Sequence, residues 1–210
     1  MTLFDLLFLA SAVVSVVCFL LILASALRRR SDHLRGWSLV LGSYLAGYVL
    51  VLLLTSLLSS RRIFAPGQRR CWDDWCVTAV RADREGTSPL PACAATLNMR
   101  TWLAEIQVSS VAKRVRQRAP DARVELEDEH GERYSPCATW SGRGTNPPHA
   151  ISDPLGPGES FSVFLPFQLP SAERPAGLIL RHGAFPGVLI IGDDSSLLHR
   201  RALQRISVTP

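Results

Sequence analysis

No charged residue occurs between Leu6 and Leu27, and none between Trp37 and Ser60. Proline is missing from both stretches as well. Uncharged runs of 22 and 24 residues exceed the roughly 20 that a helix needs to cross about 30 Å of hydrocarbon. A helix also pairs its own backbone N–H and C=O groups, as lipid requires. The lack of ionisable residues beyond Asp5 in these runs excludes a transporter or proton path, which would need them there. The first run lacks the positive leader of a secretory signal. It opens as Met1-Thr2-Leu3-Phe4-Asp5 and is longer than a leader's apolar core, so it is expected to be kept as a span.

Lysine is nearly absent: of 23 Lys and Arg residues only Lys113 is lysine. The net charge of +5 invites a nucleic-acid reading, but its distribution opposes one. Residues 1–64 hold six Arg against Asp5 and Asp32, whereas residues 65–210 hold 17 basic against 16 acidic residues. A nucleic-acid domain would concentrate basic charge on one face. The second part also lacks a capped apolar stripe of helical period, a Gly-x-Ser-x-Gly elbow, and paired Cys knuckles of the kind that hold structural zinc. No catalytic residue, cofactor or metal site is expected.

What is present is a sharp division. Residues 1–63 read as a transmembrane hairpin with helices over about 4–27 and 37–60, and residues 64–210 as a separate β domain. The connector 28–36 carries Arg28, Arg29, Arg30 and Arg35. Short Arg-rich loops stay cytoplasmic, and no Lys or Arg precedes the first helix. The N-terminus and the β domain are therefore expected outside the cytoplasm. Arg61, Arg62, Arg69 and Arg70 follow the second helix and equal the connector in number, so the uncharged-to-acidic N-terminus decides the orientation. Small residues recur at four-residue spacing (Ser11/Ser15, Ser38/Gly42, Ser43/Gly47), which lets helices approach closely. Packing within the hairpin is the expected use, and oligomerisation the rival.

In the second part, period-two alternation predicts strands at Trp75–Arg81, Trp102–Val108, Ala122–Asp128, Phe161–Leu165, Leu178–Arg181, Val188–Ile191 and Ala202–Val208. Gly, Pro, Asn and Asp clusters separate them, among them Pro89-Leu90-Pro91, Glu129-His130-Gly131, Asn146-Pro147-Pro148, Gly156-Pro157-Gly158 and Pro186-Gly187. Strands of this length and spacing predict an immunoglobulin-like β-sandwich of about 6–8 strands, with a small barrel as the alternative. In Val124-Glu125-Leu126-Glu127 the two acids should face solvent.

The order of motifs carries a resemblance. Trp102 opens a strand, and Asp128-x-x-Gly131-x-x-Tyr134 closes the next. Pro157-Gly158-Glu159 leads into a Phe-rich strand ending in Pro166 and Pro170, and Leu178-Ile179-Leu180 follows. Over roughly residues 99–182 the chain resembles the bacterial immunoglobulin-like domains of unknown function found on lipoproteins and membrane-anchored proteins, related to the immunoprotective extracellular protein fold. It departs from them at Lys113–Arg118, where an Asn-rich turn would be usual. The resemblance implies a fold and an outer location, and no activity.

Four cysteines lie in the domain: Cys71, Cys76, Cys93 and Cys137. An even number in an outward-facing domain predicts up to two disulfides. Three pairings are possible. Proximity favours Cys71–Cys76, leaving Cys93–Cys137; Cys18 lies in the first helix. Trp72 and Trp75, with Arg61 and Arg62, are candidates for the lipid interface, although the two Trp could equally pack beneath the sandwich beside the Cys pair. Asp73-Asp74 and Asp193-Asp194 read as turn carboxylates rather than calcium ligands. His182, Asp193 and Ser195 compose a triad only on paper. The expected function is a non-catalytic, membrane-anchored binding or structural module of a bacterial cell envelope. Its partners would be the bilayer and an envelope protein, and not nucleic acid. The alternatives are an accessory subunit of a larger membrane complex or a thiol- or metal-dependent envelope enzyme.

Overall fold

A computed structural model describes residues 3–28, 31–84, 93, 96–137, 149–183, 187–193 and 196–209. The chain divides into two units. One comprises Met1–Ser60 with Ala184–Arg200, and the other Arg61–Gly183 with Arg201–Pro210.

In the first unit, helices α1 (Leu3–Leu27) and α2 (Ser31–Leu58) form an antiparallel pair. α2 starts six residues earlier than the charge-free run does. Ser31 and Asp32 open it, an acid in the first turn suits the helix dipole, and the connector shrinks to residues 28–30. Arg28 and Arg35 are exposed, Arg35 in the early part of α2, and Arg29 and Arg30 lie outside the described residues. The better-covered residues recur at helical spacing. They are Phe8, Ser11, Ser15, Cys18 and Ile22 on α1, and Leu41, Tyr44, Tyr48, Leu52 and Ser56 on α2. Ser11 hydrogen-bonds Tyr44 between the helices at 2.7 Å. Thus Ser11 and Ser15 serve hairpin packing as expected. Gly42 and Gly47 do not, because a Cβ on either would meet nothing within 4 Å. Most of the remaining apolar side chains, including Val13, Phe19, Leu39 and Leu50, are exposed. The hydroxyls of Ser25 and Thr55 donate to carbonyls one turn back, Leu21 and Val51, a common way to satisfy them on an apolar helix.

The second unit is a two-sheet β-sandwich. Its strands are β1 (Ile63–Phe64), β2 (Arg69–Trp72), β3 (Trp75–Arg84), β4 (Met99–Ser110), β5 (Arg123–Asp128), β6 (Arg133–Tyr134), β7 (Ser160–Pro170), β8 (Pro175–Arg181), β9 (Leu203–Arg205) and β10 (Ser207–Thr209). One sheet has the order β1-β9-β8-β5-β6 and the other β10-β3-β4-β7, with β2 paired to β3. β10 joins β3, and β1 joins β9, in parallel; the other pairs are antiparallel.

Alternation builds the core. Ile106 and Val108 of β4, Val163, Leu165 and Phe167 of β7, Val124 and Leu126 of β5, and Leu178 and Leu180 of β8 all meet inside. Along β3 the buried positions run Val77, Ala79, then Ala82, a change of phase. The register with β4 slips between Ala79 and Arg81, so Val80 is an extra residue. A bulge of this kind turns the strand by one position. The charge-bearing face of β5 differs from expectation. Glu127 is buried and Glu125 half-buried, because Arg61 and Arg181 satisfy them from neighbouring segments.

Two further expectations change. Val188–Ile191 is not a strand; it forms turns within the first unit. Ala202–Val208 divides into β9 and β10, one in each sheet. The turns at Pro89–Pro91 and Asn146–Pro148, and Pro186, fall outside the described residues.

Gly177 on β8 admits no side chain. A Cβ there would lie 2.5 Å from the Gln204 carbonyl oxygen of β9 and 2.8 Å from Leu203 Cδ1. Backbone cannot yield as a flexible side chain can. Gly177→Ala should therefore destabilise the β domain by about 1–3 kcal/mol, read as a lowered urea midpoint of tryptophan fluorescence for the full chain in mild detergent. An unchanged midpoint would contradict this packing.

Candidate functional site

At one end of the sandwich the strand termini enclose a cavity of about 450 Å³. The end of β3 supplies Arg84, and the start of β4 supplies Arg100 and Trp102, with Arg84 opposite Trp102 in the ladder. The turn from β7 to β8 supplies Glu173 and Arg174, and the β5–β6 hairpin supplies Glu129. Arg84, Arg100 and Arg174 are exposed, and none has an ion-pair or side-chain hydrogen-bond partner among the described residues. Trp102 is buried, and its indole N–H has no acceptor among the described residues. Three free guanidinium groups beside an indole suit an anionic group carried on a flat or apolar body, since guanidinium binds carboxylate or phosphate in bidentate fashion and stacks on rings.

A compact polar device shapes the hairpin beside this cavity. The Asp128 carboxylate accepts hydrogen bonds from the backbone N–H of His130 and of Glu132, each 2.9 Å, and from the Tyr134 hydroxyl at 2.9 Å. Gly131 takes the positive φ of the turn. Burial acts to raise the Asp128 pKa, but these three donors outweigh it and hold the group below its ordinary value. Burial, and then the same carboxylate, push the Tyr134 hydroxyl up to about 12. His130 Nδ1 pairs with Glu173 at 2.6 Å, which raises the imidazole pKa. Asp128, His130 and Glu173 are close enough together to suggest a cation site. With three donors already on Asp128 and His130 turned to Glu173, they work instead as the lock of the Asp-x-x-Gly-x-x-Tyr hairpin.

Elsewhere in the same unit, Cys71 and Cys76 face each other across β2 and β3 and are disulfide-bonded, as are Cys93 and Cys137. The first pair closes a two-residue turn in which Asp73 adopts φ +51°. Trp75 is only 2 % exposed and belongs to the core; it is not an interface residue, because the inward phase of β3 begins with it. Trp72 is half-buried, 5.6 Å from Trp75, and the buried Arg70 guanidinium stacks on it at 4.2 Å. His182 completes the cluster, 5.0 Å from Trp75. Its Nδ1 pairs with Asp121 at 2.5 Å. Burial opposes ionisation of Asp121, yet the Gly183 N–H and His182 hold its pKa low. Of the paper triad, His182 has Asp121 as its partner, Asp193 belongs to the other unit, and Ser195 lies outside the described residues.

Arg61 makes a bidentate pair with Glu127, at 2.5 and 2.8 Å, and donates from Nε to the Arg201 carbonyl at 2.8 Å. Arg62 is exposed, and its carbonyl accepts from the Leu203 N–H. Sequence reasoning missed the cavity arginines because they sit singly at strand ends.

No family model and no curated protein matches the chain. Among solved structures it is similar to the secreted protein MPT63 of Mycobacterium tuberculosis, at 14% identity and TM-score 0.44 over 60% of this chain and 92% of that one. It is also similar to the yjhA protein of Bacillus subtilis, at 11% and 0.42 over 68% and 98%. A third is an uncharacterised β-sandwich protein of Clostridium difficile 630, at 11% and 0.40 over 70% and 96%. The two-sheet architecture of this chain rests on its own strand pairing.

Two outcomes test this geometry. Arg61→Ala removes the bidentate partner of buried Glu127, leaving only Arg133 at 3.5 Å, and should lower unfolding free energy by on the order of 3 kcal/mol. Arg100→Ala, with no partner to lose, should stay within about 0.5 kcal/mol of the parent. The second concerns acid. A carboxylate whose folded pKa lies below its unfolded value of about 3.9 contributes stability above that pH, which is lost as pH falls through the folded value. Tyr134→Phe removes one donor from Asp128. Unfolding free energies at pH 7 and pH 3 should therefore differ less in the variant than in the parent, as urea titrations at both pH values would read.

Proposed function

We propose that the chain is a membrane-anchored, non-catalytic binding module of a bacterial envelope, with an immunoglobulin-like sandwich held outside the cytoplasm by a two-span hairpin. The observation that carries this reading is the contrast between the units. The helices expose apolar side chains almost all round, as helices in lipid do, while the β unit packs a shared apolar core between its two sheets and carries two disulfides. Disulfides persist in oxidising compartments. The Arg-bearing connector favours its own end of the hairpin as the cytoplasmic one. The ligand site we favour is the cavity of Arg84, Arg100, Arg174 and Trp102, with an anionic ligand.

A second reading is supported by Gly42 and Gly47, which lie open on α2. On that reading the hairpin docks beside a helix of a larger membrane complex. A stoichiometric membrane partner retained through mild detergent extraction would favour it.

Orientation is tested with an impermeant thiol reagent on spheroplasts. Under reductant, Cys71 and Cys137 should label in intact cells, whereas a cysteine at the connector, Arg35→Cys, should label only after lysis. The reverse pattern would place the β domain in the cytoplasm and sink the proposal.

A further inference from the structure

The stretch Gly187–Leu198 belongs to the helical unit although it follows the last long strand of the sandwich. Its turns are closed on themselves. Ile190 N–H donates to Gly187, Asp193 to Ile190, Ser196 to Asp193, and Leu197 back to Val188. The Ser196 hydroxyl donates to the Ile190 carbonyl. Two contacts fix it to the hairpin. Tyr48 of α2 donates its hydroxyl to the Leu189 carbonyl at 2.7 Å, and the Phe4 ring of α1 lies 3.5 Å from where a Gly192 Cβ would be.

The level of these contacts follows from the Ser11–Tyr44 bond. Phe4 is two turns toward the N-terminus from Ser11, and Tyr48 is one turn toward the C-terminus from Tyr44, so both lie toward the same end of the antiparallel pair. α2 continues to Leu58, about 15 Å beyond Tyr48 at 1.5 Å per residue. The segment is therefore held beside the apolar part of α2, below its end. Ile191 is buried there, yet Leu189, Leu197 and Leu198 are 44%, 49% and 60% exposed. Leu198 does so at φ +64°, a conformation a bulky side chain adopts only under constraint.

We propose that Gly187–Asp193 and Ser196–Leu198 form a lipid-interface anchor, a third apolar element that sinks Leu189, Leu197 and Leu198 into the leaflet at the level where α1 begins. This rests on the reading of the hairpin as membrane-spanning. Internal pairing of the backbone is what irregular chain needs at such depth, and Asp193 limits the depth to the headgroup level. The tyrosine at the junction has the amphipathic character that interfaces favour.

Spin labelling of the full chain decides it. In a Cys18→Ala background, reconstituted in phosphatidylcholine–phosphatidylglycerol vesicles, a nitroxide is placed at Leu198→Cys or, separately, Leu197→Cys. Oxygen and a water-soluble nickel chelate are the relaxation probes. Leu50→Cys on the outer face of α2 and Val115→Cys on the β domain, both exposed, give the lipid and water references. Labels at 197 and 198 should show an oxygen-to-nickel accessibility ratio several-fold above that at 115. A ratio equal to that at 115, with 50 still lipid-like, overturns the anchor alone. A water-like ratio at 50 overturns the membrane-spanning reading and the anchor with it.

Discussion

A carboxylate with almost no access to water governs how the β unit closes. Glu127 sits inside the sheet on β5 with its side chain 5% exposed, and an isolated charge there would be untenable. Arg61 answers it with both terminal nitrogens, while its third nitrogen holds the Arg201 carbonyl. Arg133 approaches from the far side at 3.5 Å. One acid thus gathers the residue that opens the unit, the approach to β9, and the β5–β6 hairpin. The pairing of Leu203 with the Arg62 carbonyl and the short parallel ladder of β1 with β9 follow from that gathering. A bidentate geometry suits the task, because it fixes orientation as well as charge.

The two units place their apolar side chains in different ways. In the sandwich, side chains alternate, and the bulge at Val80 corrects the phase so that Ala82 rather than a charged neighbour turns inward. In the hairpin there is one narrow packing stripe, and the rest of each helix is apolar and open. The same composition that reads as a core in one unit reads as an exterior in the other. Burial, not hydropathy, separates them.

This explains which parts of the architecture were legible. Strict alternation at Val124–Asp128 and the Phe-rich run at Phe161–Leu165 became β5 and β7, because a period of two has only one interpretation when a single face is buried. The hairpin spacing Asp128-x-x-Gly131-x-x-Tyr134 was legible for a chemical reason: each of its residues has one role that its type fits. Val188-Leu189-Ile190-Ile191 was not, since four apolar residues without a polar alternate carry no period, and their place is decided by Tyr48 and Phe4, far away in sequence. The burial of Glu127 was hidden for the same reason, its partner lying 66 residues earlier. The arginines of the cavity come from the end of β3, the start of β4 and the β7–β8 turn, and only the sheet order brings them together.

The disulfides add a last constraint, unequal in its two instances. Cys71 and Cys76 close a loop with a sequence separation of 5, and Cys93 and Cys137 one of 44. Chain-entropy reasoning assigns about 2 kcal/mol to a loop as short as the first and about 4 kcal/mol to the second. Backbone pairing of β2 with β3 and the Asp73-Asp74 turn already bring the first pair together, so that bond chiefly secures the Trp72–Trp75 hairpin against which Arg70 and His182 pack. The second joins the connection ahead of β4 to the chain just beyond β6, thereby tying one sheet to the other where Cys137 N–H also meets the Pro166 carbonyl of β7. A sandwich whose sheets are linked by a long-loop covalent bond and a buried ion pair resists opening by two mechanisms with different sensitivities. Reductant cuts the disulfide and leaves the ion pair in place, and loss of Arg61 does the converse.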